Sequence, residues 1–121
     1  MEKELFKNEF APYEQALELK ELGFDKPCFG WFTESYLRIG GVVENKHIQG
    51  ENELLAPTFS QAFRWFRDKY GLSHTIHYTN KKYTWLVYDA DVNFRIDNAQ
   101  KHEEAELLCL KQLIEIAKTK K

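Results

Sequence analysis

The chain has only two cysteines, Cys28 and Cys109, set far apart. That spacing argues against a disulfide framework and for thiols that stay reduced, as in a cytoplasmic setting. No apolar run approaches the ~20 residues that a membrane-spanning helix needs. The opening MEKELFKNEF has none of the features of a signal peptide. Nor is there an excess of charge of one sign. Seventeen Lys and Arg stand against nineteen Asp and Glu, so 17 − 19 = −2 and no overall field favours nucleic acid. The only basic run is the tail Lys118, Lys120 and Lys121, which reads as a complement to a helix C-terminus. Phosphate-cradling glycine loops, nucleophile elbows and Asp-rich calcium loops are all missing. Together these absences lead to the expectation of a soluble cytoplasmic protein with no cofactor.

What is present is ordinary globular composition with a high share of aromatics. Apolar residues make up 43% and charged residues 30%, enough for a packed core and too apolar for disorder. At 121 residues the chain is most economically a single domain, 1–121. Aromatics reach 15%, so most of the questions about function concern rings.

The patterning predicts helices alternating with pairs of strands. Pro12 reads as the first residue of a helix that Gly23 ends in a left-handed conformation. Cys28 to Thr33 (CFGWFT) reads as a strand, with a second between Tyr36 and His47. Gly40-Gly41 is either a hairpin turn or a bulge within that second strand. Glu44 to Glu53 is polar and reads as a loop. Thr58 is a good N-cap for the stretch FSQAFRWFRDKY, where Phe59, Ala62, Phe63, Phe66 and Tyr70 form one apolar stripe. Trp65 falls roughly 100° beyond the edge of that stripe, between Gln61 and Lys69. His74–Thr79 and Tyr83–Asp89 alternate with period two and predict a hairpin. Asp91 to Ile96 either extends the sheet or forms a loop. Asn98 is positioned to cap a last helix to about Lys118, whose apolar residues cover an arc of roughly 200°. An arc that wide predicts a helix held between two layers or against another subunit. The expected fold is α+β in two layers, helix-β-β-helix-β-β-helix, with an antiparallel sheet covered by helices on one face. The two strand-strand-helix units in succession hint at a repeat.

Chemistry is harder to find. His74 and His77 lie three apart on a strand and so point to opposite faces. His47 falls in a loop and His102 in the first turn of a helix, so no three or four ligands converge on a metal. Glu103, Glu104 and Glu106 complement a helix dipole without any catalytic role. The aromatics remain as candidates. Trp31 alternates with Gly30 and Phe32, while Tyr83 and Trp85 share one face of their strand. A sheet covered on one side leaves the other free to meet a protein, where Trp, Tyr and Arg are favoured, or to stack bases. For any single ring, filling a small core is the simpler account. The candidate interaction surface is therefore Trp65, Arg64, Lys69, Trp31, Tyr83 and Trp85. Arg64, Arg67 and Lys69, with Lys81-Lys82 at the hairpin, form a candidate basic patch.

Three blocks, YEQALELKELGFDKPCFGWF, LLAPTFSQAFRWFRDKYGL and HEEAELLCLKQLIEIAK, together resemble a family of small uncharacterised proteins of phages, prophages and genomes of Bacteroides-like bacteria. The middle block is the most specific of the three. The stretches from Gly40 to Glu53 and from Asp89 to Asp97 lie outside the resemblance. The resemblance implies a mobile-element origin, a cytoplasmic location and an accessory role, and supplies no activity or site residues. The expected function is accordingly non-catalytic: binding through protein contacts with self-association into a homo-oligomer. The alternative is a nucleic-acid or nucleotide-binding module using an aromatic sheet face and a local basic patch.

Overall fold

The structure, a computed structural model, describes residues 7–90 and 94–120. Lys121 of the basic tail lies outside the described residues, as does the start of the Asp91–Ile96 stretch. The chain divides into two compact units, residues 1–61 and 62–121. The architecture is mixed α+β, as the patterning predicts. The strands form two three-stranded antiparallel sheets rather than one.

In the first unit, α1 (Tyr13–Glu21) follows Pro12, which is the N-cap rather than the first helical residue. The helix ends where expected. Gly23 adopts φ 101°, its N–H bonds to the Lys20 carbonyl at 3.0 Å, and the Phe24 N–H reaches the Leu19 carbonyl at 2.9 Å. That double bond pattern is the Schellman stop, which needs a residue comfortable at positive φ.

Strands β1 (Cys28–Thr33), β2 (Tyr36–Val43) and β3 (Glu53–Ala56) follow, in the order β2-β1-β3. A two-residue turn at Glu34-Ser35, both at positive φ, joins the first two. Gly40-Gly41 is a bulge inside β2, since Gly30 pairs with Ile39 while Cys28 pairs with Val43. β3 has no counterpart in the sequence reading, because four residues are too few to show a period. It closes the polar loop and pairs antiparallel with β1.

The core of this unit lies on the face of β1 that carries Gly30 and Phe32. Phe10, Ala16, Phe32, Leu54 and Ala56 cluster there, with Tyr13, Leu37 and Ile39 packed against them. Tyr13 meets Phe32 edge-on at 5.4 Å. Phe10 lies so close over Gly30 that a Cβ there would stand 2.9 Å from its ring and 3.1 Å from the Arg38 carbonyl oxygen.

The helix α2 (Phe59–Tyr70) begins in this unit and runs into the second. Its start is a capping box. The Gln61 N–H donates to Thr58 Oγ1 at 3.1 Å, and the Thr58 N–H donates to Gln61 Oε1 at 3.1 Å. Gln61 Nε2 also donates to the Pro27 carbonyl at 2.9 Å. Phe59, Ala62, Phe63 and Phe66 are buried as the stripe predicts.

In the second unit β4 (Ser73–Thr79), β5 (Lys82–Tyr88) and β6 (Phe94–Ala99) form a meander. The first strand of the first sheet is central and the second strand of this one is central, so the two sheets are not copies of a repeat. Asn80-Lys81, both at positive φ, turn the hairpin. Asn98 is not a helix cap. It lies in β6, and its side-chain oxygen accepts from Thr84 Oγ1 at 2.8 Å across the strands. The last helix, α3 (His102–Thr119), starts four residues later with Lys101 as N-cap. It covers the sheet face that carries Trp85 and Val87, and Ala105, Cys109, Leu110, Leu113, Ile114 and Ala117 are buried. The basic tail does more than complement the dipole, because Lys120 Nζ lies 3.6 Å from Asp89 Oδ2.

Two substitutions test these local arguments. Gly30→Ala forces a methyl against a ring and a backbone oxygen and should destabilise the protein by about 1–3 kcal/mol. Thr58→Ala removes one capping acceptor and should cost about 1 kcal/mol. Urea unfolding at unchanged m-value measures both. A Gly30→Ala midpoint equal to wild type would mean that Phe10 does not seat on β1.

Candidate interaction surface

The first sheet hides one face and leaves the other partly open. Side chains alternate along β1, so Phe29, Trp31 and Thr33 stand opposite to Gly30 and Phe32. Trp31 pairs across the sheet with Arg38 on β2 and Leu55 on β3, and Thr33 pairs with Tyr36 and Glu53. Directly paired residues project to the same side, so these seven side chains share the outer face. Phe29 is 55% exposed and Tyr36 is 70% exposed. Trp31 between them is half-buried, Arg38 is exposed and Leu55 is buried. Val42, in the bulge, is exposed as well.

The remaining candidates separate into buried rings and exposed cations. Trp65 is 5% exposed and Trp85 is 4% exposed, so neither belongs to a surface. Trp65 meets Phe66 at 5.2 Å and Tyr70 at 5.6 Å, both edge-on. Lys69 Nζ sits 5.0 Å from its ring centroid and 5.5 Å from that of Tyr70. The basic neighbours of Trp65 are thus compatible with burial: Lys69 lays its ammonium over the ring, and Arg64 is exposed. Trp85 supplies buried area beneath α3, and its indole N–H finds no hydrogen-bond acceptor among the described residues. Tyr83 is half-buried, 4.9 Å from Tyr78 and 5.6 Å edge-on from His102. Arg64, Arg67, Lys69, Lys81 and Lys82 are all exposed, with Asp68 interrupting the helical three. The structure therefore brings Trp31 together with Phe29, Tyr36 and Arg38 in the first unit, while Trp65, Trp85 and Tyr83 belong to the second.

Among the described residues no three His, Cys, Asp or Glu side chains come close enough to hold a metal. Burial pushes the thiols of Cys28 and Cys109 up to about 12, which keeps both from acting as thiolates. His102 Nδ1 lies 3.5 Å from Glu106 Oε1. His47 Nδ1 accepts from the Glu44 N–H at 3.1 Å and closes a single 3-10 turn. No helix among the described residues is long and apolar enough to cross a membrane.

His74 is the most perturbed histidine. It stacks on Phe63 with ring centroids 3.7 Å apart and planes inclined at 26°. Burial, reinforced by the charges of Arg67 and His102, pushes its pKa down from 6.5 to about 4. Comparison of the chain with family models, curated proteins and solved structures returned no match.

The sign of the His74 shift sets a pH dependence. The unfolded chain takes up this proton near pH 6.5 and the folded chain only near 4, so stability is full above the first value and drains as pH falls through the second. Thermal midpoints should therefore drop between these two pH values, and the drop should shrink in His74→Phe. An identical drop in the variant would assign the effect to other groups.

Proposed function

We propose that this chain is a non-catalytic binding protein that works through protein contacts and associates with itself. The observation that supports the reading is the outer face of the first sheet. Two large rings, Phe29 and Tyr36, stand in solvent on either side of Trp31. Exposed aromatics on a rigid sheet offer contact area at little cost in side-chain entropy, which is why such residues dominate protein interfaces. The face carries one cation, Arg38, and one anion, Glu53. That balance suits a protein surface better than a polyphosphate. The wide apolar arc of α3, by contrast, is mostly buried within the chain, with Leu107 and Ile116 half-buried at its borders. The mobile-element resemblance fits an accessory role in the cytoplasm of a bacterial host.

The alternative is binding of single-stranded nucleic acid, with Trp31 and Arg38 adjacent as a stacking pair and Lys81 and Lys82 at the hairpin turn. Sedimentation velocity over a concentration series, run beside a titration with a labelled single-stranded oligonucleotide at low salt, separates the two. The expected result is concentration-dependent association and no oligonucleotide binding. A strict monomer whose oligonucleotide binding weakens with salt and is lost in Trp31→Ala would replace this reading with the alternative.

A further inference from the structure

Resting on the self-association proposed above, a second surface, the edge of the second sheet, is the better fit for a second copy, which leaves the outer face of the first sheet to other protein contacts. The turn of the second sheet at Asn80-Lys81 decides which backbone groups are free. A two-residue turn makes the flanking Thr79 and Lys82 a hydrogen-bonded pair. Along β5, Lys82, Thr84, Leu86 and Tyr88 therefore direct their N–H and C=O groups at β4. Tyr83, Trp85 and Val87 direct theirs at β6, onto Ala99, Asp97 and Arg95. The alternate residues Phe94, Ile96 and Asn98 must then point their backbone N–H and C=O groups away from the sheet, toward whatever lies beyond β6.

The other edges are less suited to a second copy. β2 is broken by the bulge at Gly40-Gly41. β3 is buried over Leu54, Leu55 and Ala56, and beyond it the edge continues into a bridge between Phe10 and Thr58. β4 is half-buried over Ser73 to Ile76, is exposed only at His77 to Thr79, and carries no pair of charges that could fix a register. β6 has no proline, glycine, lysine or bulge, and its two charges, Arg95 and Asp97, are of opposite sign, so they do not guard the edge against every register of a second copy. Arg95, Ile96, Asp97 and Asn98 are all exposed, and Ile96 is 57% exposed.

The sequence of this edge is complementary to itself. In an antiparallel pairing of two copies centred on Ile96, Ile96 meets Ile96, Phe94 meets Asn98, and Arg95 meets Asp97 twice. The outward-pointing backbone groups match in this register. Arg95 and Asp97 fall at the non-hydrogen-bonded positions, where Cα atoms approach to about 4.5 Å and side chains are closest. Sliding one strand by two residues either way keeps the backbone matched but places Arg95 on Arg95 or Asp97 on Asp97. Charge thus selects one register among those the backbone allows. Arg95 already has an interaction inside its own chain, and the Asp97 carboxylate accepts from the Asn98 N–H at 2.8 Å, a bond that the Asn98 N–H exchanges for the Phe94 carbonyl of the second copy in this register. The intermolecular pairs are therefore exchanges or additions of partners, and their main effect is on register. We propose that β6 is a homodimer interface, with a second copy of this chain adding its own β6 antiparallel about a two-fold axis at Ile96 to make a continuous six-stranded sheet.

Sedimentation velocity on the full chain tests this with four proteins: wild type, Ile96→Pro, Arg95→Asp, and the charge exchange Arg95→Asp/Asp97→Arg. The Ile96 N–H faces away from β5, so proline there spares the intramolecular ladder, and circular dichroism checks that it does. The expected pattern is a wild-type dimer, a monomer with Ile96→Pro, at least tenfold weaker association with Arg95→Asp, and recovery in the double exchange. Recovery is a readout that misfolding of the proline variant cannot imitate. A dimer that persists in Ile96→Pro and Arg95→Asp but is lost in Phe29→Ser/Tyr36→Ser would overturn the β6 interface and leave self-association standing. A wild-type chain that stays monomeric across the series would overturn both.

Discussion

A sheet of three strands has two faces and two edges, and one helix can bury only one face. Every functional argument about this chain follows from that shortage of cover. In the first unit α1 and Phe10 close the face of Gly30 and Phe32, which leaves Phe29, Trp31 and Tyr36 on the other side. In the second, α3 closes the face of Trp85 and Val87, which leaves β6 as an open edge. Small units of this kind have little buried area in reserve, so the close seat of Phe10 over Gly30 matters more than it would in a larger core. The glycine there is needed for space, since its ring and carbonyl neighbours occupy the volume a Cβ would take.

The rings most conspicuous in the sequence turn out to serve the interior. Trp65 and Trp85 are buried, each with a compromise visible in the structure. Trp65 lies at the shoulder of its helix and is covered in part by the aliphatic reach and ammonium of Lys69. Trp85 leaves its N–H without an acceptor among the described residues, a cost of about 1–3 kcal/mol set against the area of a large side chain. His74 makes a similar bargain, trading its proton for a stack on Phe63. These features explain three chemically suggestive residues as parts of a packed interior. What is left for interaction is less obvious in sequence: an exposed Phe29, a tyrosine beside a turn, and a six-residue edge strand.

Local signals were readable wherever a residue type has a stereochemical reason for its place. The CFGWFT strand, the apolar stripe of α2, the cap at Thr58 and the glycine stop at Gly23 are of that kind. Sequence also assigned the alternation that puts Trp31 opposite Gly30, and Tyr83 and Trp85 opposite Leu86. It missed β3, whose four residues are too short for any period. It misread Asn98, because a cap and a cross-strand partner for Thr84 use the same side-chain oxygen. The short run Arg95-Ile96-Asp97 carried a usable signal, opposite charges flanking an apolar residue, but that signal has meaning only once the segment is known to be an edge.

The sequence by itself therefore determined the class of the fold, the positions of most elements and which residues alternate with which, because backbone stereochemistry and hydrophobic period act over a few residues. Only the tertiary structure decided which of two alternating faces is buried, that the strands divide into two sheets with different strand orders, and which strands lie at the edges. Those outcomes depend on pairing between residues far apart in the chain, such as Trp31 with Leu55 or Tyr83 with Ala99. No local preference encodes such a pairing, since it is selected by the burial that the whole unit can achieve.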